Sequence, residues 1–163
     1  MSNTYYGKYR AQVVDTNDPQ KRGRIRVLCP KVIGEGKSNW CNPCIPVAYD
    51  FGGDFAVPKV GETVWIEFEA GDVNKPIYVG NWWSENKSPS DPYDVHTRNI
   101  IWDKCKIAMV GSKSENKPER LEVSVGNSLI KVEEDKITIS VGGSSITLTP
   151  ADITEIAGTI KLN

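Results

Sequence analysis

Ile130-Lys131-Val132, Ile137-Thr138-Ile139-Ser140-Val141 and Ile146-Thr147-Leu148 carry an apolar residue at every second position, separated by Glu133-Glu134-Asp135 and Gly142-Gly143. A period of two puts those side chains on one face of a β-strand. The acidic triplet and the glycine pair are turn formers. The same pattern runs outward both ways. Upstream, Leu121, Val123 and Val125 alternate and end at Gly126-Asn127. Downstream, Ile153 and Ile156 follow Pro150-Ala151-Asp152, and Ile160 and Leu162 follow Ala157-Gly158. The strands recur roughly every seven to nine residues, a regular repeat of short strands.

Such a row needs partners. Ordering its backbone costs more than burial returns if half the apolar stripe stays wet. A flat meander would also expose two long edges. Winding identical chains about a common axis buries the stripes and pairs the edges. Ile130, Val132, Ile137, Ile139, Val141, Ile146, Leu148, Ile153, Ile160 and Leu162 are the candidates for that axis. The pattern demands copies and does not count them.

Further upstream, Ile100-Ile101-Trp102 and Ile107-Ala108-Met109-Val110 open this half. Residues 84–98, rich in Ser, Asn, Asp and Pro, read as a linker. Before it lie about five strand signals. Tyr9 to Val14 alternates into the turn Thr16-Asn17-Asp18-Pro19, and Arg24 to Leu28 follows, stopped or placed at an edge by Pro30. Residues 31–43 read as a loop. Cys44 to Ala48 is a short apolar strand, and Asp50-Phe51-Gly52-Gly53-Asp54 a turn. Val64 to Glu69 alternates cleanly, and Pro76 to Gly80 follows the turn at Gly71-Asp72. The chain therefore divides into a small barrel over 1–83, a linker over 84–98 and a second β region over 99–163.

The formal net charge of −1 argues against a dedicated nucleic-acid or membrane-surface binder. No run of eighteen or more apolar residues spans a membrane, and the start of the chain has no apolar signal segment, so cytoplasmic synthesis is expected. That origin makes disulfides among Cys29, Cys41, Cys44 and Cys105 unexpected. Cys41-Asn42-Pro43-Cys44 has zinc-knuckle spacing without a second half-site, so free thiols are expected. No cofactor is implied.

Tyr9-Arg10-Ala11-Gln12-Val13-Val14-Asp15, Asp18-Pro19, Gly23-Arg24-Ile25-Arg26-Val27 and Pro30 resemble the opening of the OB domain of phage baseplate spike proteins and type VI secretion VgrG proteins. The same holds for Pro58-Lys59-Val60-Gly61-Glu62-Thr63-Val64-Trp65-Ile66-Glu67-Phe68-Glu69-Ala70-Gly71-Asp72 with Pro76-Ile77-Tyr78-Val79-Gly80-Asn81-Trp82-Trp83. Gly23, Pro58, Gly61, Gly71, Asp72, Gly80 and Trp82 are the motif's turn and signature positions. The resemblance implies an all-β chain: an OB-type five-stranded barrel, then a C-terminal trimeric β-helix or β-prism needle. It implies a homotrimer docked on a baseplate hub protein in a virion tail or phage-tail-like particle, driven mechanically into a target cell envelope. Some relatives carry a lysozyme domain between barrel and needle, and the linker here is too short for one. Others end in a His-x-His iron tip. Here the last residues are Thr159 to Asn163, and His96, the sole histidine, lies in the linker. A separate small tip-capping protein is therefore expected.

Catalysis is not expected. Glu67 and Glu69, two apart on a strand, read as a solvated face, and Ser144-Ser145 and His96 with Asp94 form no nucleophile constellation. The rival reading is an OB module for single-stranded nucleic acid, through Lys21, Arg22, Arg24, Arg26 and Lys31 with Trp40, Trp65, Trp82 and Trp83. Glu62, Glu67, Glu69 and Asp72 leave that barrel without a basic excess, so no nucleic acid is expected.

Overall fold

A computed structural model describes residues 4–85, 87–88, 94–111 and 118–159. The chain divides into two compact units, Met1–Ser88 and Pro89–Asn163.

In the first unit, β1 (Tyr9–Asp15), β2 (Arg26–Leu28), β3 (Asn42–Pro43), β6 (Thr63–Phe68) and β7 (Pro76–Asn81) form one sheet in the order β2-β1-β6-β7-β3. Alternation builds its core. Ala11 and Val13 of β1, Val64, Ile66 and Phe68 of β6, and Tyr78 of β7 point inward with Ile25, Val27, Cys29 and Cys41. The sequence predicts a barrel. The structure gives an OB-like half-barrel sheet whose outer elements meet through one bridge. Ile25 donates to the Cys41 carbonyl at 3.2 Å and Cys41 to the Ile25 carbonyl at 2.8 Å.

The connection between β2 and β6 departs most from expectation. Pro30 opens a one-turn helix, α1 (Pro30–Ile33), because a first-turn proline has no N–H to lose. The strand expected over Cys44 to Ala48 does not form: β3 lies before it, in the expected loop, and only its last residue is paired, in β4 (Ala48–Tyr49). The residues read as a plain turn form the tip and second strand of a hairpin, with β4 paired to β5 (Gly52–Gly53).

The second unit is one antiparallel meander. β8 (Thr97–Trp102), β9 (Cys105–Val110), β10 (Arg120–Val125), β11 (Ser128–Glu133), β12 (Lys136–Val141), β13 (Ser144–Leu148) and β14 (Ile153–Ile156) pair in chain order. Thr97 and Arg98, expected in the linker, already belong to β8. The chain alone forms an open sheet here, with β8 and β14 as its edges.

Candidate functional site

Directly paired residues share a face of a sheet, so the register of the meander sorts its side chains. One transverse row reads Ile100, Ile107, Val123, Ile130, Ile139, Ile146. A second reads Met109, Leu121, Val132, Ile137, Leu148, Ile153. Trp102, Val125 and Val141 lie on the same face in a third. Eight of the residues assigned to the axis, Ile130, Val132, Ile137, Ile139, Val141, Ile146, Leu148 and Ile153, lie on this single face. Ile160 and Leu162 lie outside the described residues. Ile100, Ile107, Met109, Leu121, Val123 and Val125 extend the face, although the same alternation marked them in the sequence.

The opposite face is mostly polar over β10 to β13, with Ile101, Ala108, Val110, Leu129 and Ile156 among its apolar members. Arg120 pairs with Glu122 at 2.7 Å, Lys131 with Glu133 at 3.1 Å, and Thr138, Thr147 and Thr154 line up across three strands. Exposure is inverted relative to a self-sufficient domain. In β10 to β13 the aliphatic positions are mostly exposed, 43% for Ile139, while the polar positions opposite are half-buried apart from an exposed Lys136. A soluble chain seldom leaves so continuous an apolar surface to water unless something covers it.

The motif residues of the first unit are structural braces. The Asp18 carboxylate accepts the backbone N–H groups of Gln20, Arg22 and Arg24, at 3.0, 2.8 and 3.3 Å, and two bonds from the Arg24 guanidinium, at 3.1 and 2.6 Å. The Arg24 side chain holds the carboxyl well below the usual carboxylate range, against an opposing effect of burial. Gly23 ends this loop, and its carbonyl accepts the buried Tyr78 hydroxyl at 2.8 Å. Burial pushes that phenol up to about 12. Pro58 is buried, and Gly61 pairs its N–H with the Val13 carbonyl at 2.9 Å. Gly71 has φ +78 and packs so closely on the backbone of Tyr5 that a Cβ would sit 3.1 Å from its nitrogen. Asp72 accepts the Asn74 N–H at 2.9 Å. Gly80, at φ +136, sits where the β6–β7 register shifts, a bulge that suits glycine. The Trp82 carbonyl accepts the Thr63 hydroxyl.

The Asp18 brace gives a prediction. A carboxyl whose folded pKa is depressed contributes stability that is complete above its unfolded value, about 3.9, and lost as pH falls below it toward the folded value. Asp18→Asn is expected to lower the melting temperature at neutral pH. The gap to the parent should narrow below about pH 4. Thermal melts of both proteins across that window check it, and a constant gap would count against the brace.

Three of the four tryptophans that the nucleic-acid reading relies on, Trp40, Trp65 and Trp82, already carry arginines, whereas Trp83 is 69% exposed. Arg10 stacks 5.5 Å from the Trp65 centroid and 4.5 Å from that of Trp82, and Arg24 and Arg26 lie 5.5 and 4.8 Å from Trp40. These contacts bind strand to strand and occupy ring faces that a nucleobase would need. Glu67 is ion-paired with Lys8. Glu69 is not on the strand at all: it opens a 3-10 turn, Glu69–Gly71. The two carboxylates expected on one face are therefore separated.

Cys29 and Cys41 are buried in the core of the first unit, whereas Cys44 and Cys105 are exposed. Burial pushes the Cys41 thiol up to about 11 and raises Cys29 also. Among the described residues, no group of three or more His, Cys, Asp or Glu side chains is placed to hold a metal. Native alkylation is expected to modify Cys44 and spare Cys29 and Cys41 until denaturant is added. Peptide mass spectrometry reads the difference, and early labelling of Cys41 would contradict its burial.

Residues 9–83 match the family model of the type VI secretion system/phage-baseplate injector OB domain. The match starts at β1 and ends just past β7, so it covers the braced unit and supports a baseplate, spike-related role beside other baseplate components. No curated protein matches the chain.

Proposed function

We propose that this chain is the central spike of a contractile tail or injection apparatus, acting mechanically and without catalysis. The first unit docks on a baseplate hub protein. The second winds with two further copies into a needle that is driven through a target cell envelope and carries a small capping protein at its far end. The observation that carries this reading is the uncovered apolar face of the seven-stranded meander, joined to a unit that matches an injector OB domain. Identical faces brought around a three-fold axis would bury one another and supply ladder partners for β8 and β14. A rod held by backbone hydrogen bonds and a continuous apolar interior resists bending, which a piercing element requires.

Native mass spectrometry tests it. The expected species has three times the 18.1 kDa chain mass. A single chain at micromolar concentration would overturn the proposal.

A further inference from the structure

The hairpin formed by β4 and β5 is a costly thing to leave in water. Phe51, at its tip, is fully exposed and sits at φ +63, a conformation that a bulky side chain seldom adopts. Tyr49 and Phe55 are 70% and 74% exposed. The hairpin is nonetheless closely built. The Tyr49 ring lies against Gly52, where a Cβ would come within 2.3 Å of a ring atom, and a Cβ at Gly53 would meet the Val47 carbonyl at the same distance. Asp54 donates its N–H to that carbonyl at 2.9 Å. The chain thus bears strain, two space-restricted glycines and three wet aromatic rings on one short arm.

Beside the root of this arm is a surface of opposite charge. Phe55 packs on Gly23, which ends the loop braced by Asp18. That loop presents Lys21 and Arg22 to solvent, with Lys21 at φ +54. Among the described residues, the side chains of Asp50 and Asp54 on the arm and of Lys21 and Arg22 on the loop have no ion-pair partner. Complementary groups stand on neighbouring parts of one barrel, unmatched within it. A head-to-tail contact in a ring satisfies them, arm of one copy on loop of the next. β7 also delivers the chain out of the barrel at this end, since Asn81 pairs with Val64 near the start of β6.

We infer that the arm over residues 47–55 docks on the braced basic loop over residues 18–23 of a second copy, closing the barrels into a ring. This rests on the oligomeric reading above. Phe51 and Tyr49 are the apolar anchors, and Asp50 and Asp54 set the direction against Lys21 and Arg22.

The experiment uses the full chain. Hydroxyl-radical footprinting of the native assembly is expected to find Phe51 and Tyr49 protected relative to an unfolded digest. The pair Asp50→Lys with Asp54→Lys, and separately Lys21→Glu with Arg22→Glu, is expected to speed subunit exchange by about tenfold to thirtyfold, read by native mass spectrometry of isotopically mixed samples. Combining all four is expected to restore the parent's rate. An assembled trimer whose Phe51 labels as fast as in the digest overturns the arm and leaves the oligomer standing. Charge reversal without rescue overturns this pairing, and protection that appears only when other baseplate components are added assigns the arm to a different partner. A single-chain parent overturns arm and oligomer together.

Discussion

Ile139→Asp is expected to abolish assembly while leaving the first unit folded. Ile139 sits in one of the two six-residue apolar rows of the meander, between Ile130 and Ile146. In the isolated sheet it is 43% exposed, so a carboxylate there would be solvated and would change stability by less than about 0.5 kcal/mol. In a wound assembly each copy would bury an unpaired charge on the axis, at several kcal/mol apiece. The same substitution is thus nearly silent in one arrangement and ruinous in the other. Native mass spectrometry should show single chains, and circular dichroism should show the first unit melting as in the parent. A stable Ile139→Asp trimer would mean that this face does not line the axis.

The second large effect belongs to the half-barrel. Ile66 is completely buried in the middle of β6, with Tyr9 of β1 on one side and Tyr78 of β7 on the other. Removing its three outer carbons leaves a cavity in a core with few ways to collapse, at a cost of about 2–5 kcal/mol. For a unit of this size that lowers the melting temperature by roughly 10 °C or more. Calorimetry should show that loss in the transition of the first unit only. A loss shared by both transitions would mean that the units unfold together.

The meander was legible because its signal is local. Six-residue strands with strict alternation and two-residue turns at Gly126-Asn127, Glu134-Asp135 and Gly142-Gly143 fix both the pairing and the face. The strands of the OB-like unit were legible for the same reason. Its closure was not, because the bridge between Ile25 and Cys41 is a contact between short segments with no period to read. Two-residue strands such as β3 and β4 are shorter than any repeat that could announce them. The stack of Arg10 on Trp65 and Trp82 was hidden for another reason. Alternation points Arg10 and Trp65 outward, but only the β1–β6 register sets them opposite each other. Trp65 and Trp82, offered as stacking platforms, were therefore read without their occupant.

The regularity of the meander also bears on how such a tail changes length over evolutionary time. Each strand advances the sheet by about 4.8 Å, so the seven strands span about 29 Å from first to last. Duplicating or deleting one hairpin returns the chain to the same direction with the same side chains on the same face. Loss of a single strand would reverse the path of everything after it. Length is therefore free to vary in steps of two strands, each about 10 Å, without a new core being invented. Under the spike function proposed above, a tail built in this way would be matched to envelopes of different thickness by copying what it already has.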